Sequence, residues 1–159
     1  MICYFGYANR LYYIWLPKSI IMKNITRPYL SDLTYLVNGA AIEVHKALGP
    51  GLLESVYHRC LKHELSLLNV NFISEMIVPF NYKGLDLEVG LRCDLFIEDC
   101  LVVEIKAIEA ILPIHEAQLL TYMNILQAPK GIMLNFHCTN MYKYGQKTYV
   151  NKLFSQLLE

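Results

Sequence analysis

The sequence predicts an α/β sandwich built on a mixed sheet, and three observations carry that prediction. Two stretches, residues 33–48 and 52–68, repeat apolar residues at helical spacing. Residues 72–107 are instead rich in β-branched and aromatic side chains that alternate with polar ones. A third helical pattern beginning at Pro113 leads into the short, nearly continuous apolar run of residues 131–136.

The 159 residues, 55% of them hydrophobic, suffice for one domain with a real core and are too few for two. Residues 1–21 are expected to form an N-terminal extension outside that core, and residues 22–159 the domain. Tyr4, Phe5, Tyr7, Tyr12, Tyr13 and Trp15 crowd the extension, whose apolar runs break at Asn9-Arg10 and Pro17-Lys18. That pattern neither spans a bilayer nor reads as a secretory signal, and Met22-Lys23-Asn24 reads as a more natural beginning.

Ser31 is the expected N-cap of the first helix, with Leu33, Leu36, Val37, Ala40, Val44, Ala47 and Leu48 on its apolar stripe and Gly49-Pro50-Gly51 ending it. The second begins near Leu52 and is lined by Leu53, Val56, Leu61, Leu65 and Leu68, with Glu54, Tyr57 and His58 within one turn of each other. Glu54 therefore stands at a helix N-terminus, where the dipole alone favours an acid. Residues 72–82 predict a strand with an edge or bulge at Pro79, Lys83-Gly84 a turn, and residues 85–97 and 101–107 two further strands of a meander. Pro113 opens a helix to about Leu126, with His115, Gln118 and Tyr122 on one face and Leu119, Leu120, Met123 and Leu126 on another. Residues 131–136 suit a buried strand beside the hairpin, and residues 147–151 a last strand before a weakly amphipathic tail.

The hairpin carries the chemistry. With Glu98-Asp99-Cys100 as its loop, the facing pairs are Ile97/Leu101, Phe96/Val102, Leu95/Val103, Asp94/Glu104, Cys93/Ile105 and Arg92/Lys106. That register gathers Cys93, Leu95, Ile97, Leu101, Val103 and Ile105 on one apolar face, and a one-residue slip would break it. Two carboxylates facing each other across strands destabilise a sheet unless a positive charge joins them, so Asp94, Glu104 and the nearby Lys106 suit a divalent cation and a phosphate. An ordinary solvated hairpin face carries the same residue types, and that reading stays open at this point.

Composition narrows the partners. Fourteen basic and fourteen acidic residues leave no net charge, so nucleic-acid binding would need a local patch. Five cysteines, odd in number and never spaced Cys-x-x-Cys, argue against a disulfide framework or structural zinc and fit a reducing cytoplasm. His45, His58, His63 and His137 are not at ligand spacing to one another and read as structural or surface residues, with His115 less settled because it shares a face with Gln118. Tyr57 and Tyr122 suit half-buried aromatics with bonded hydroxyls, and Gln118 alone would be solvated.

Asp94 followed by Glu104-Ile105-Lys106 resembles the Asp…Glu-x-Lys signature of the PD-(D/E)XK nuclease superfamily, and the element order resembles its αβββαβ core. Gly51-Leu52-Leu53-Glu54-Ser55-Val56-Tyr57 is similar to the GxxExxY motif that names a bacterial and archaeal family placed there. Val44-His45-Lys46, His115 through Tyr122 and Leu134-Asn135-Phe136 follow the same pattern. The resemblance implies a metal-dependent nuclease hydrolysing phosphodiester bonds of DNA, with RNA second, through a metal-activated water. It implies Mg²⁺, or Mn²⁺ in its place, on Asp94, Glu104 and the Ile105 carbonyl, with Lys106 facing the scissile phosphate. Glu54 would complete the acidic cluster, Gln118 would support the site, and Tyr57 and Tyr122 would meet the substrate. The segment Gly145-Gln146-Lys147-Thr148-Tyr149-Val150 lacks the arginine common near that point of such nucleases. The rival expectations are a catalytically weak or inactive nucleic-acid-binding or assembly protein on the same fold, favoured by the neutral charge, and a partner-binding module whose aromatic N-terminus covers a homodimer interface.

Overall fold

Helix, helix, strands, helix, strand is the order that the chain adopts in its computed structural model, which describes residues 25–87 and 90–159. The expected extension lies outside the described residues. Helix α1 spans Arg27–Leu48 and α2 Glu54–Leu67; β1 (Phe72–Ile77), β2 (Phe80–Tyr82), β3 (Leu85–Leu87), β4 (Arg92–Ile97) and β5 (Leu101–Lys106) follow. Helix α3 (Pro113–Ile125) then leads to β6 (Lys130–Asn135), α4 (Met141–Tyr144), β7 (Gln146–Val150) and α5 (Lys152–Ser155).

Among the described residues five strands form one mixed sheet in the order β1-β4-β5-β6-β7. Only β5 and β6 pair in parallel, which requires a crossover, and α3 supplies it. Alternation along the strands divides the core into two layers. Leu95, Ile97, Leu101, Val103, Ile105, Ile132 and Leu134 bury against α1 and α2 through Leu30, Val37, Val44, Tyr57, Leu61 and Leu65. Phe96, Val102 and Met133 point the other way, onto Leu119, Tyr122 and Met123 of α3.

The β4–β5 loop is the expected one, with Ile97 facing Leu101, Phe96 facing Val102 and Leu95 facing Val103. Glu98 and Asp99 adopt left-handed φ of 50° and 56°, and Asn71 ties the loop down by donating from its amide N–H and side-chain Nδ2 to Glu98 Oε1, each at 3.0 Å.

Several expectations need correction. The N-cap of α1 is Thr26, whose Oγ1 accepts from Tyr29 N at 3.3 Å while Pro28 occupies the first turn, so Ser31 lies inside the helix. Residues 72–82 are not one strand. Val78 donates its N–H to Leu91 O at 2.7 Å, Pro79 has none to give, and the chain leaves the sheet to form a separate β2–β3 ribbon turned at Lys83-Gly84. Cys93 is buried with Phe96, Val102 and Tyr122 in the layer under α3, away from Leu95 and Ile97: pairing with β5 stops at Leu95/Val103, and although Cys93 still faces Met76 of β1, the Glu75/Asp94 position between is skipped and Glu75 takes a left-handed φ of 53°, which interrupts the alternation. Leu120, expected on the apolar face of α3, is 36% exposed, whereas Tyr122, expected on the polar face, is 1% exposed.

Candidate active site

Beyond Leu95/Val103 the two strands part, and their free backbone groups take side-chain partners instead. The Ile105 amide donates to Asp94 Oδ2 at 2.8 Å, and the Asp94 amide lies 3.4 Å from Glu104 Oε1. Each carboxylate thus replaces a missing rung of the ladder on the opposite strand, which satisfies buried donors that would otherwise cost free energy. Lys106, two residues beyond Glu104 and so on the same side of β5, places Nζ 3.1 Å from Glu104 Oε2 and 4.0 Å from Asp94 Oδ2. It also donates to the Ile105 carbonyl at 3.1 Å.

The electrostatics of this trio follow from burial. The Glu104 side chain is 3% exposed against 24% for Asp94. Desolvation, with the Asp94 charge second, raises the Glu104 pKa from 4.5 to about 7, although Lys106 pulls the other way. Burial alone would lower the pKa of Lys106, but the charges of Glu104, Asp94 and Glu54 together hold it above its ordinary value. Burial and the two carboxylates push the Cys93 thiol far up, so it stays protonated.

An acid pair of this kind fits a divalent cation. Its own repulsion is relieved by positive charge, its donors are hard oxygens, and the parting of the strands leaves the Ile105 carbonyl facing the same side-chain ammonium as the carboxylates. Among the described residues no group of three or more His, Cys, Asp and Glu side chains could hold a metal ion. Any ion here would therefore rest on two carboxylates and a carbonyl, with water or substrate oxygen completing its shell, as magnesium tolerates.

The segment from Gly49 to Tyr57 acts as a positioning device. Gly49 and Gly51 take φ of 66° and 102°, conformations that suit glycine. The Tyr57 hydroxyl closes this turn by donating to Gly49 O at 2.7 Å and accepting from Leu52 N at 3.1 Å. Its ring stacks on Phe136 with centroids 4.4 Å apart. Tyr57 is fully buried, and with both hydroxyl bonds inside the turn it shapes the segment that presents Glu54. Glu54, the first residue of α2, is exposed and close enough for Lys106 to feel its charge.

On α3, Gln118 Nε2 donates to the Tyr122 hydroxyl at 2.7 Å. Tyr122 is buried against the sheet with its pKa raised by desolvation, and the Glu104 charge adds to the rise. The pair therefore borders the trio from the opposite helical layer. His115 caps α3 by accepting from Leu112 N on Nδ1 at 3.1 Å. One contact was not anticipated: His58 Nε2 lies 3.3 Å from the Asp94 carbonyl and 3.3 Å from Ser74 Oγ, tying α2 to the backbone where the strands part. Its spacing of one turn from Glu54 was visible in the sequence, but a backbone partner 36 residues away leaves no motif.

A family model described as the PD-(D/E)XK nuclease superfamily matches residues 31–148, which include every residue of this site. No curated protein and no solved structure matches the chain. No helix among the described residues is long and apolar enough to cross a membrane.

Proposed function

The chain belongs to the PD-(D/E)XK nuclease superfamily, and from that premise we propose that it is a Mg²⁺-dependent nuclease acting on phosphodiester bonds of DNA. Within the superfamily we place it with the GxxExxY proteins, on the strength of the turn that Gly51 and Tyr57 build around Glu54. The observation that carries the reading is that Lys106 Nζ lies within 4.0 Å of both the Asp94 and the Glu104 carboxylates where two strands part.

Asp94, Glu104 and the Ile105 carbonyl would hold the ion. Bound there, a divalent cation would supply a water of lowered pKa and positive charge to offset the negative charge building up on the phosphate. Glu104, whose buried setting favours the protonated acid, would serve as a ligand in its ionised form. Lys106 stays protonated and presents a compact point charge to a phosphate oxygen. Glu54 adds an acid at the rim, and Gln118 fixes the Tyr122 hydroxyl beside Glu104. Mn²⁺ serves as a substitute because it accepts the same oxygen donors.

Nicking of supercoiled DNA by the purified protein tests this reading. Mg²⁺-dependent nicking that disappears with EDTA and in Asp94→Ala is the expected result. Nicking unchanged in Asp94→Ala would overturn it. The balance of fourteen basic and fourteen acidic residues favours, as the second reading, a nucleic-acid-binding protein without cleavage. Salt-sensitive DNA binding by a protein that never nicks would select that alternative.

A further inference from the structure

Beyond Glu116 the sequence carries no Asp or Glu until Glu159, and residues 117–158 hold four lysines, Lys130, Lys143, Lys147 and Lys152. A chain that is neutral as a whole therefore contains a basic stretch, and part of it borders the trio. In the ladder Lys106 faces Asn135, whose amide donates to Gly145 O at 2.7 Å, so the junction of α4 and β7 lies two strand spacings, about 10 Å, from the Lys106 backbone. Lys147 faces Met133, which faces Glu104, and residues that face one another across a sheet share a side. Lys147 thus stands on the Glu104 side of the sheet, where Glu116 of α3 holds its Nζ at 2.6 Å while the lysine side chain stays exposed.

Helix α4 adds aromatic rings to that charge. At about 100° per residue, burying Met141 turns Lys143 outward and sets Tyr142 and Tyr144 on its two flanks. Both rings are exposed, at 71% and 70%, and Gln146 Nε2 ties the turn to β7 by donating to Tyr142 O at 2.9 Å. A Cβ on Gly145 would stand 2.9 Å from the Asn135 carbonyl and 2.8 Å from Cys138 Sγ, so glycine lets α4 close onto the end of β6. Exposed rings interleaved with lysines match a single strand, in which each base offers a face for stacking and each phosphate a charge for an ammonium. A duplex keeps its base faces covered and offers phosphates and base edges instead, which would leave both rings unused.

We propose that Tyr142, Lys143, Tyr144 and Lys147 form a track for single-stranded nucleic acid that runs toward Asp94, Glu104 and Lys106. The inference rests on the nuclease reading and names the substrate class of that site, an unpaired strand or frayed end. Bases stack on Tyr142 and Tyr144, Lys143 meets the phosphate between them, and Lys147, shared with Glu116, meets a phosphate nearer the trio.

Fluorescence anisotropy of the full-length protein with a labelled oligothymidylate and with a duplex of equal length, both in EDTA, tests the track without cleavage. Oligothymidylate should bind more tightly than the duplex. Tyr142→Ala and Tyr144→Ala should each weaken oligothymidylate binding by roughly 5–150-fold, the loss of one base–aromatic stack, and leave duplex binding unchanged. Tyr35→Ala, which removes an exposed ring from α1, should alter neither. Lys143→Met and Lys147→Met should each flatten the slope of log affinity against log salt by about 0.7. Preference for the duplex, or wild-type affinity in both tyrosine variants, would overturn the proposal. So would tyrosine variants that abolish self-association of the chain while leaving oligothymidylate binding intact, which would make the rings a contact between copies. The two readings fail separately: binding of this pattern by a protein that never nicks supports the track and removes the nuclease, whereas nicking by a protein that ignores oligothymidylate removes the track alone.

Discussion

The two ends of the β4–β5 hairpin are built on opposite principles. At the loop end, Leu95, Ile97, Leu101 and Val103 are fully buried, and their backbones are paired rung by rung. At the open end the rungs stop, and Asp94, Glu104 and Lys106 satisfy one another and the freed amides. The loop end gains free energy from removing apolar surface from water. The open end spends burial on a carboxylate, Glu104, whose ionised form its surroundings disfavour. Stability and the proposed chemistry are thus separated along one hairpin, and the difference shows how a cluster with two acids can be held in place: the regular end fixes the strands that present it.

That separation can be broken or sharpened by substitution. The largest effect belongs to the loop end: Leu101→Ala should cost about 2–5 kcal/mol of stability in urea unfolding. A loss below about 1 kcal/mol, the scale of an ordinary surface change, would show that the loop end does not anchor the sheet. Next comes Lys106→Met, which should lower Mg²⁺-dependent cleavage by roughly 10²–10³-fold while circular dichroism and thermal unfolding stay close to wild type. Cleavage at the wild-type rate would remove Lys106 from the chemistry.

The smallest effect is electrostatic. In EDTA, folded Glu104 holds its proton up to about pH 7, above its ordinary 4.5, so its contribution to stability is full below about pH 4.5 and lost as pH rises through 7. Stability should fall across that window by up to about 3 kcal/mol, and Glu104→Gln should flatten the fall. An equal slope in Glu104→Gln would assign it to another group.

How far the sequence could be read follows the same division. The pairs Ile97/Leu101, Phe96/Val102 and Leu95/Val103 were legible because alternation with one buried face permits a single register. Cys93 was misplaced because the alternation of β4 is interrupted at Asp94, opposite the left-handed Glu75 of β1 and past the last rung to β5, and no residue pattern marks that interruption. The β2–β3 ribbon was fused into longer strands, since Val and Phe on either side of Pro79 look the same in a central strand and in a ribbon. Helix α4, at four residues, is too short to show a period. Asp94, Glu104 and Lys106 stood out through charge in an apolar hairpin. His58 did not, because its partners are a backbone carbonyl and a serine set near it only by folding. Tyr57 was visible as an aromatic residue, but its bonds to Gly49 and Leu52 needed coordinates.

The most direct measurement is Mn²⁺ binding, followed as the loss of the free-ion paramagnetic resonance signal, for the wild type, Asp94→Asn and Glu104→Gln. The expected result is that the wild-type chain takes up the ion and each variant leaves the signal nearly undiminished. Equal uptake by all three would contradict a cation held where β4 and β5 part.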